Sequence, residues 1–331
     1  MWTRFAKCDN THNHTHGTID STLLTTERGI WAVKRSLIGL GATALFQAVI
    51  VFFSGSVALL ADTIHNIADA GTAIPLWIAF ALARRPPSRH VAYGYGRVED
   101  VAGVMIVSTI LLSAALTGYE SVYRLLHPQA VEHLLAVAIA SVIGFAGNEM
   151  VALFRIRVGK QIHSAALVAD GYHAHIDALT SLGVLISAAS IWFGYPLADP
   201  ILALLITVTI LGIVWQSGKA IFTRLLDGFD PEVNEEITRA LNQAPGVRDI
   251  TEVRLRWSGH QLHAEVNLCV DDRLSVTEGH AIAVEARQLL LHALPYLSSV
   301  NIHVDPEHLS GERHHGSTDR KHGDLENHSH Q

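Results

Sequence analysis

The feature that most limits the fold of this chain is a series of uncharged or nearly uncharged stretches that fills residues 36–218. A helix needs about 20 apolar residues to span the hydrocarbon core of a bilayer, and stretches of that length recur here. Residues 219–331 carry many charges, as a soluble chain does. The chain as a whole is 49% hydrophobic and 17% charged, which is more apolar than one soluble core requires. The sequence therefore predicts a membrane domain followed by a soluble domain.

Six spans are predicted in the membrane domain. They lie between Arg35 and Asp62, at 56–83, between Asp100 and Glu120, at 131–154, at 164–193 and at 200–218. The fourth is expected to stop at a basic cluster that begins with Arg155. Lys and Arg residues near the span ends fall on one side, with Arg124 alone on the other. Because basic loops stay in the cytoplasm, both termini are predicted to be cytoplasmic.

The soluble part has a different periodicity. A helix begins at Pro231, two alternating strands follow at 250–257 and 262–270, and a helix at 276–293 precedes a last strand at 299–306. This order predicts a ferredoxin-like α+β domain. The predicted organisation is a disordered histidine-containing tail over 1–28, a six-helix bundle over 29–218, a cytoplasmic domain over 219–307 and a histidine-rich tail over 308–331.

The second and fifth spans share one polar template. It reads Ala61-Asp62-x-x-His65-x-x-x-Asp69-Ala70 in the second span and Ala169-Asp170-x-x-His173-x-x-x-Asp177-Ala178 in the fifth. Residues four apart lie on one face of a helix, one turn apart, so each His/Asp pair is directed to one point. Two such helices side by side supply four ligands. These candidate ligands are His65, Asp69, His173 and Asp177.

The chemistry of these four groups favours a transition metal. A carboxylate at the centre of a span costs about 2.5–3.5 kcal/mol on insertion scales, so a compensating charge is expected. Two imidazoles and two carboxylates in a tetrahedron suit zinc, and the two negative charges balance a divalent ion. The simpler interpretation is that these groups only bond between helices. For Asp62 and Asp170 we expect a role in orienting the ligands or in proton handling, with simple pairing as the alternative.

The sequence resembles the cation diffusion facilitator family from about residue 30 to residue 307. The stretches that carry the resemblance are LLADTIHNIAD, YGYGRVEDVAG, ALVADGYHAHIDALTSLGVL and NIHVDP. The resemblance implies a homodimer in a lipid bilayer that exchanges a cytoplasmic divalent metal for protons at His65, Asp69, His173 and Asp177. Members of that family that prefer zinc have His and Asp in both helices, as this sequence does. Proton exchange fits this chemistry, because a histidine must lose its proton before it binds metal.

The resemblance also implies metal binding in the cytoplasmic domain. The matching positions are His263, His280, His303 and Asp305. Strand alternation supports His303 and Asp305 sharing one face. Arg97 matches a basic residue that pairs with an acid after the sixth helix in a relative, and Asp227 is that acid here. A charge lock between the two domains is therefore a further hypothesis.

Several other functions are disfavoured. The net charge of −7 and the lack of a basic stripe give no reason to expect nucleic acid. Gly94-Tyr95-Gly96 is not a nucleotide loop, so no nucleotide cofactor is expected. No His-Glu-x-x-His occurs in a span, which disfavours an intramembrane metal enzyme. The remaining alternatives are export of Fe²⁺, Co²⁺, Cd²⁺ or Ni²⁺ and a membrane-anchored metal sensor. A bacterial inner membrane is the expected location.

Overall fold

A computed structural model describes residues 21–54, 73–126, 134–195 and 198–309, together with Thr63, Ile67 and Gly71. Within these ranges, the chain forms a bundle of long apolar helices followed by a small α+β domain. The two parts follow one another in the predicted order.

The bundle contains helices α1 to α6. They run as α1 (Ser21–Ser54), α2 (Ala73–Ala83), α3 (Arg97–Leu126), α4 (Leu134–Gln161), α5 (Ala165–Trp192) and α6 (Ala198–Leu225). Five of them, all except α2, are long and apolar enough to cross a membrane. The second predicted span is described only in its C-terminal part, as the 11 residues of α2. A 28-residue helix such as α5 is about 42 Å long, so its ends extend beyond a hydrocarbon core of about 30 Å.

Three predicted boundaries differ most from the structure. Helix α1 already begins at Ser21, inside the predicted tail, and α6 continues past 218 to Leu225. Helix α4 passes through Arg155 and ends at Gln161. The physical reason is that a helix satisfies its own backbone hydrogen bonds, so it does not have to stop where the apolar run stops.

Helix α5 occupies a central place in the bundle. It packs along α4 and also contacts α2, α3 and α6, while α1 packs against α4. Glycine allows α4 and α5 to approach closely, since a Cβ on Gly159 would lie 2.9 Å from the Val168 backbone nitrogen. Large apolar side chains such as Phe52 and Trp215 remain exposed on the outside of the bundle. A lipid environment suits such a surface.

The α+β domain has the predicted order of elements. It consists of α7 (Pro231–Leu241), β1 (Asp249–Ser258), β2 (Gln261–Val270), α8 (Val276–Ala293) and β3 (Leu297–Pro306). The sheet order is β1-β2-β3, with β1 antiparallel and β3 parallel to β2. The ferredoxin-like fold class is thereby confirmed.

Local sequence explains these elements. The Asp230 side chain caps α7 ahead of Pro231, and Ser275 with Glu278 forms a capping box at the start of α8. Alternate residues of β2, including Leu262 and Ala264, are buried in the domain core. Between β1 and β2, the turn reverses the chain at a glycine with φ of +60° and brings its tip to the membrane domain.

Candidate metal transport site

Helix α5 carries the described half of the predicted transport site. Ser164 caps the helix, and its side-chain oxygen accepts a hydrogen bond from the Leu167 amide at 3.0 Å. The helix then runs without a break, which places His173 and Asp177 one turn apart on one face. His173 Nδ1 and Asp177 Oδ1 lie 4.0 Å apart, and the two side chains are 2% and 14% exposed. This predicted pair is therefore assembled inside the bundle.

The other half of the site, His65 and Asp69, lies outside the described residues, as does Asp62. The described end of the same span is α2, which contacts α1, α3 and α5. Helix α2 thus packs beside the helix that carries His173 and Asp177. That adjacency is what a site shared by the two spans needs.

Asp170 forms a buried ion pair with Arg155 of α4. Arg155 Nη1 lies 3.1 Å from Asp170 Oδ2, and the side chains are 1% and 0% exposed. The same nitrogen lies 3.5 Å from the Asp170 carbonyl oxygen. The expectation that the fourth span stops at Arg155 is wrong, because the Asp170 carboxylate balances the arginine charge within the bundle.

A second polar contact joins α4 to α5. His175 Nδ1 lies 2.6 Å from Glu149 Oε2, and both side chains are partly exposed. His175 is two residues from His173 and so faces a different direction on the helix. Along α5, His173 therefore lies between the two residues that make ionisable contacts to α4, and Asp177 follows both of them.

Two of the predicted cytoplasmic ligands lie together. His303 Nε2 and Asp305 Oδ1 are 2.9 Å apart on β3, where strand alternation puts them on one face. His280 is exposed in the first part of α8. The β2–β3 pairing sets His263 opposite Ser299, four residues before His303, which is about 13 Å along a strand.

The four cytoplasmic candidates, all of them described, do not converge on one point in a single protomer. More broadly, the described ranges contain no group of three or more His, Cys, Asp or Glu residues arranged to hold a metal ion. The structure therefore leaves His263 and His280 apart from the His303–Asp305 pair.

His263 instead faces the membrane domain. Its Nδ1 lies 2.7 Å from Ser299 Oγ, and its ring meets that of Tyr93 edge to face, with centroids 6.5 Å apart. Burial lowers the pKa of His263, and the charges of Arg256 and Arg97 lower that pKa further. A lowered pKa keeps the imidazole neutral at the junction between the two domains.

Contacts between the domains extend well beyond this histidine. Arg97 forms an ion pair with Asp227, as the charge-lock hypothesis requires. The turn between β1 and β2 also inserts His260 against Glu99, with Nδ1 and Oε2 2.6 Å apart and both side chains buried. This second contact was not predicted. The sequence signal for it is the adjacent acid pair Glu99-Asp100 at the start of an otherwise apolar span.

Comparison with known families decides what the molecule is. The model of the cation efflux transmembrane domain matches residues 33–226, and that of the cation efflux protein cytoplasmic domain matches residues 229–307. Together they account for most of the chain. The protein belongs to the cation diffusion facilitator family. As a cation diffusion facilitator, it is a multi-pass membrane protein and a cation efflux transporter.

Two proteins of similar sequence are also named as cation efflux proteins. A probable cation efflux system protein of Mycobacterium tuberculosis strain H37Rv is 52% identical over 296 residues, covering 89% of each chain. The cation-efflux pump FieF of Serratia proteamaculans is 27% identical, covering 81% of this chain and 91% of the pump. Among solved structures, a MamM CTD is 22% identical with a TM-score of 0.23, covering 23% of this chain and 96% of that one.

Proposed function

We propose that this cation diffusion facilitator exports Zn²⁺ from the cytoplasm in exchange for protons, through a tetrahedral site of His65, Asp69, His173 and Asp177. The observation that carries the proposal is the buried pair on α5, where His173 and Asp177 lie one turn apart with ring nitrogen and carboxylate oxygen 4.0 Å from each other. The repeat of the same template in the second span supplies the matching pair.

The donor set supports zinc and supports antiport. Two nitrogen and two oxygen ligands complete a four-coordinate zinc shell, which is suited to binding and release and leaves no position for a reactive water. A transporter without enzymatic activity is the function this shell favours. Because metal binding requires deprotonated ligands, protons that enter the site from the far side displace the metal, and the proton gradient drives export. No nucleotide is needed for this cycle.

The assembly belongs to the same proposal. The protein acts as a homodimer, with both termini in the cytoplasm and the bundle in a bacterial inner membrane. In the cytoplasmic domain, His303 and Asp305, whose Nε2 and Oδ1 lie 2.9 Å apart, are the pair proposed to bind a metal ion together. His263 and His280 complete the predicted cytoplasmic set only if further contacts, such as those of a dimer, bring them into range.

The transport proposal is tested by zinc uptake into proteoliposomes that contain a zinc dye and a pH dye. Wild type is expected to move zinc inward with protons moving outward. Asp177→Ala is expected to lose both fluxes, because it removes one ligand and one of the balancing charges. Asp249→Ala is the matched control, since this aspartate is exposed on β1 and should leave transport unchanged.

The same vesicles separate the alternatives. Iron, cobalt, cadmium and nickel ions replace zinc in turn, and a faster flux with one of them would reassign the cargo. Zinc binding without flux in wild type would contradict transport and favour a metal sensor. Zinc flux without opposite proton flux would contradict antiport alone.

A further inference from the structure

Arg155 is a buried cation inside the bundle that the transport proposal leaves without a role. Its side chain is 1% exposed, although it lies on a helix that is otherwise suited to cross a membrane. Charged residues are rare inside membrane helices, where they usually pair with an opposite charge and mark a functional site. Here the partner is Asp170, at 3.1 Å.

The packing of α4 on α5 fixes this pair in place. A Cβ on Gly171 would come within 2.9 Å of the Ile156 backbone nitrogen and 3.1 Å of the Arg155 Cβ, so only glycine allows the two helices to lie this close. Arg155 Nε and Nη2 and both carboxylate oxygens of Asp170 have no hydrogen-bond partner among the described residues, although Oδ2 lies within ion-pair distance of Arg155 Nη1. A pair kept only for stability would be expected to satisfy these groups, since buried polar atoms without partners are costly.

The pair also lies close to the transport site along α5. Asp170 precedes His173 by three residues, which is about 4.5 Å of helix rise. In the equivalent place of the second span stands Asp62, but residues 36–54 of the preceding helix contain no Lys or Arg. The helix before the fifth span thus carries Arg155, whereas residues 36–54 of the helix before the second span offer no matching cation in the sequence.

From these observations, we propose that Arg155 is a positioning residue that sets the charge of the transport site. It neutralises Asp170 and holds that carboxylate against α4, so that Asp177 is the α5 carboxylate that balances the charge of the cargo. Without Arg155, a second anion on α5 would attract the cation and hinder its release. This inference rests on the proposed transport site, of which His173 and Asp177 are members.

The effects of two single substitutions distinguish this role from a mechanical contact. Asp170→Asn leaves an unbalanced arginine near the site, which repels the metal and weakens zinc binding by about tenfold. Arg155→Met leaves an unbalanced carboxylate, which tightens zinc binding by about tenfold and slows release. The double variant, Arg155→Met with Asp170→Asn, has no net charge at the position of the ion pair and is expected to bind zinc as wild type does. A contact that only holds the helices together would weaken binding in both single variants.

The experiment measures zinc affinity of the full-length protein in detergent by competition with a fluorescent chelator, and transport in proteoliposomes as kcat and KM. Opposite shifts in the two single variants, with recovery in the double variant, support the proposal. Shifts in the same direction, or no shift in Asp170→Asn, overturn it. Wild type transporting no zinc would refute the transport proposal instead, and the two failures are thereby distinguished.

A conservative variant keeps the test decisive if Arg155→Met does not fold. Arg155→Lys retains the cation and is expected to bind zinc with wild-type affinity, while Asp170→Asn still weakens binding. Equal affinity of these two variants would contradict the inference. Glu149→Gln is the matched control, because it removes a charge from the other ionisable contact between α4 and α5, that with His175. It is expected to give a smaller change than Asp170→Asn.

Discussion

Glu99 is a buried carboxylate that joins three separate parts of the chain through hydrogen bonds. Ser164 Oγ donates to its Oε1 at 2.5 Å, and the His260 backbone N–H donates to its Oε2 at 3.2 Å. His260 Nδ1 lies 2.6 Å from the same oxygen, and its Nε2 is 2.8 Å from Thr26 Oγ1. The His260 side chain therefore has partners at both nitrogens, and both partners belong to helices of the membrane bundle. Such a fully bonded buried group is sensitive to the loss of any member.

Replacing Glu99 with Ala should cost about 3–5 kcal/mol of stability, because His260 and Ser164 would be left buried without an acceptor. The measurement is thermal unfolding of the purified protein in detergent. Glu265→Ala is the control, since that carboxylate is exposed on β2. A fall in Tm no larger than the control's would show that the bond network contributes little.

At the scale of elements, the tip of the β1–β2 hairpin and the start of α3 meet backbone to backbone. A Cβ on Gly96 would lie 2.5 Å from the Ser258 carbonyl oxygen, and a Cβ on Gly259 would lie 2.6 Å from the Gly96 carbonyl oxygen. The Gly259 N–H donates to Asp100 Oδ2 at 3.1 Å. Side chains at either glycine would therefore push the hairpin out of the junction.

We expect Gly96→Ala to weaken the docking of the hairpin while both domains remain folded. The measurement is hydrogen exchange at the Gly259 and His260 amides, which should become faster as their bonds to α3 are lost. Gly41→Ala is the control, because no atom lies within 4 Å of the Cβ it would add. Unchanged exchange in Gly96→Ala would contradict the close approach.

Elements were predicted well where apolar periodicity alone decides them, and poorly where contacts between distant residues decide them. The helix at 276–293 follows from local sequence, and the structure has it over Val276–Ala293. The end of the fourth span does not follow from local sequence, because only the later residue Asp170 explains why Arg155 is buried. The docking of the hairpin could not be predicted from local sequence either, because Glu99, the partner of His260, is 161 residues away. For the transport site, α5 carries its predicted pair, and His65 with Asp69 stays a prediction.

At the scale of the whole molecule, two kinds of contact hold the domains together. The ion pair between Arg97 and Asp227 has side chains that are 44% and 52% exposed, and exposed pairs contribute only about 0–1 kcal/mol. The charge lock is therefore a minor part of the junction. The buried contacts are the larger part of the junction. Arg224 donates hydrogen bonds to the carbonyl oxygens of His163 and Gly259 at 2.7 and 3.1 Å. Its guanidinium also lies over the Trp257 ring.

His163 makes this buried part of the junction sensitive to pH. Its ring centroid lies 4.3 Å from that of Tyr296, and the ring stacks on Trp257. His163 therefore bridges the bundle and the cytoplasmic domain. Burial lowers the pKa of His163 from 6.5, and the Arg224 charge lowers it further, while Glu236 opposes this shift. Because the undocked histidine binds a proton more readily, docking is complete above about pH 6.5 and weakens as the pH falls toward the lowered pKa.

The expected result is that hydrogen exchange in the β1–β2 hairpin becomes faster between about pH 7 and about pH 5, after correction for the intrinsic pH dependence of exchange. His163→Gln should reduce this acid sensitivity, because glutamine stays neutral over the same range. His292→Gln is the control, since His292 is exposed on α8. If the His163→Gln protein loosens with acid as much as wild type does, another group must govern the response. His263 would then be the next residue to replace, because burial also lowers its pKa at the same junction.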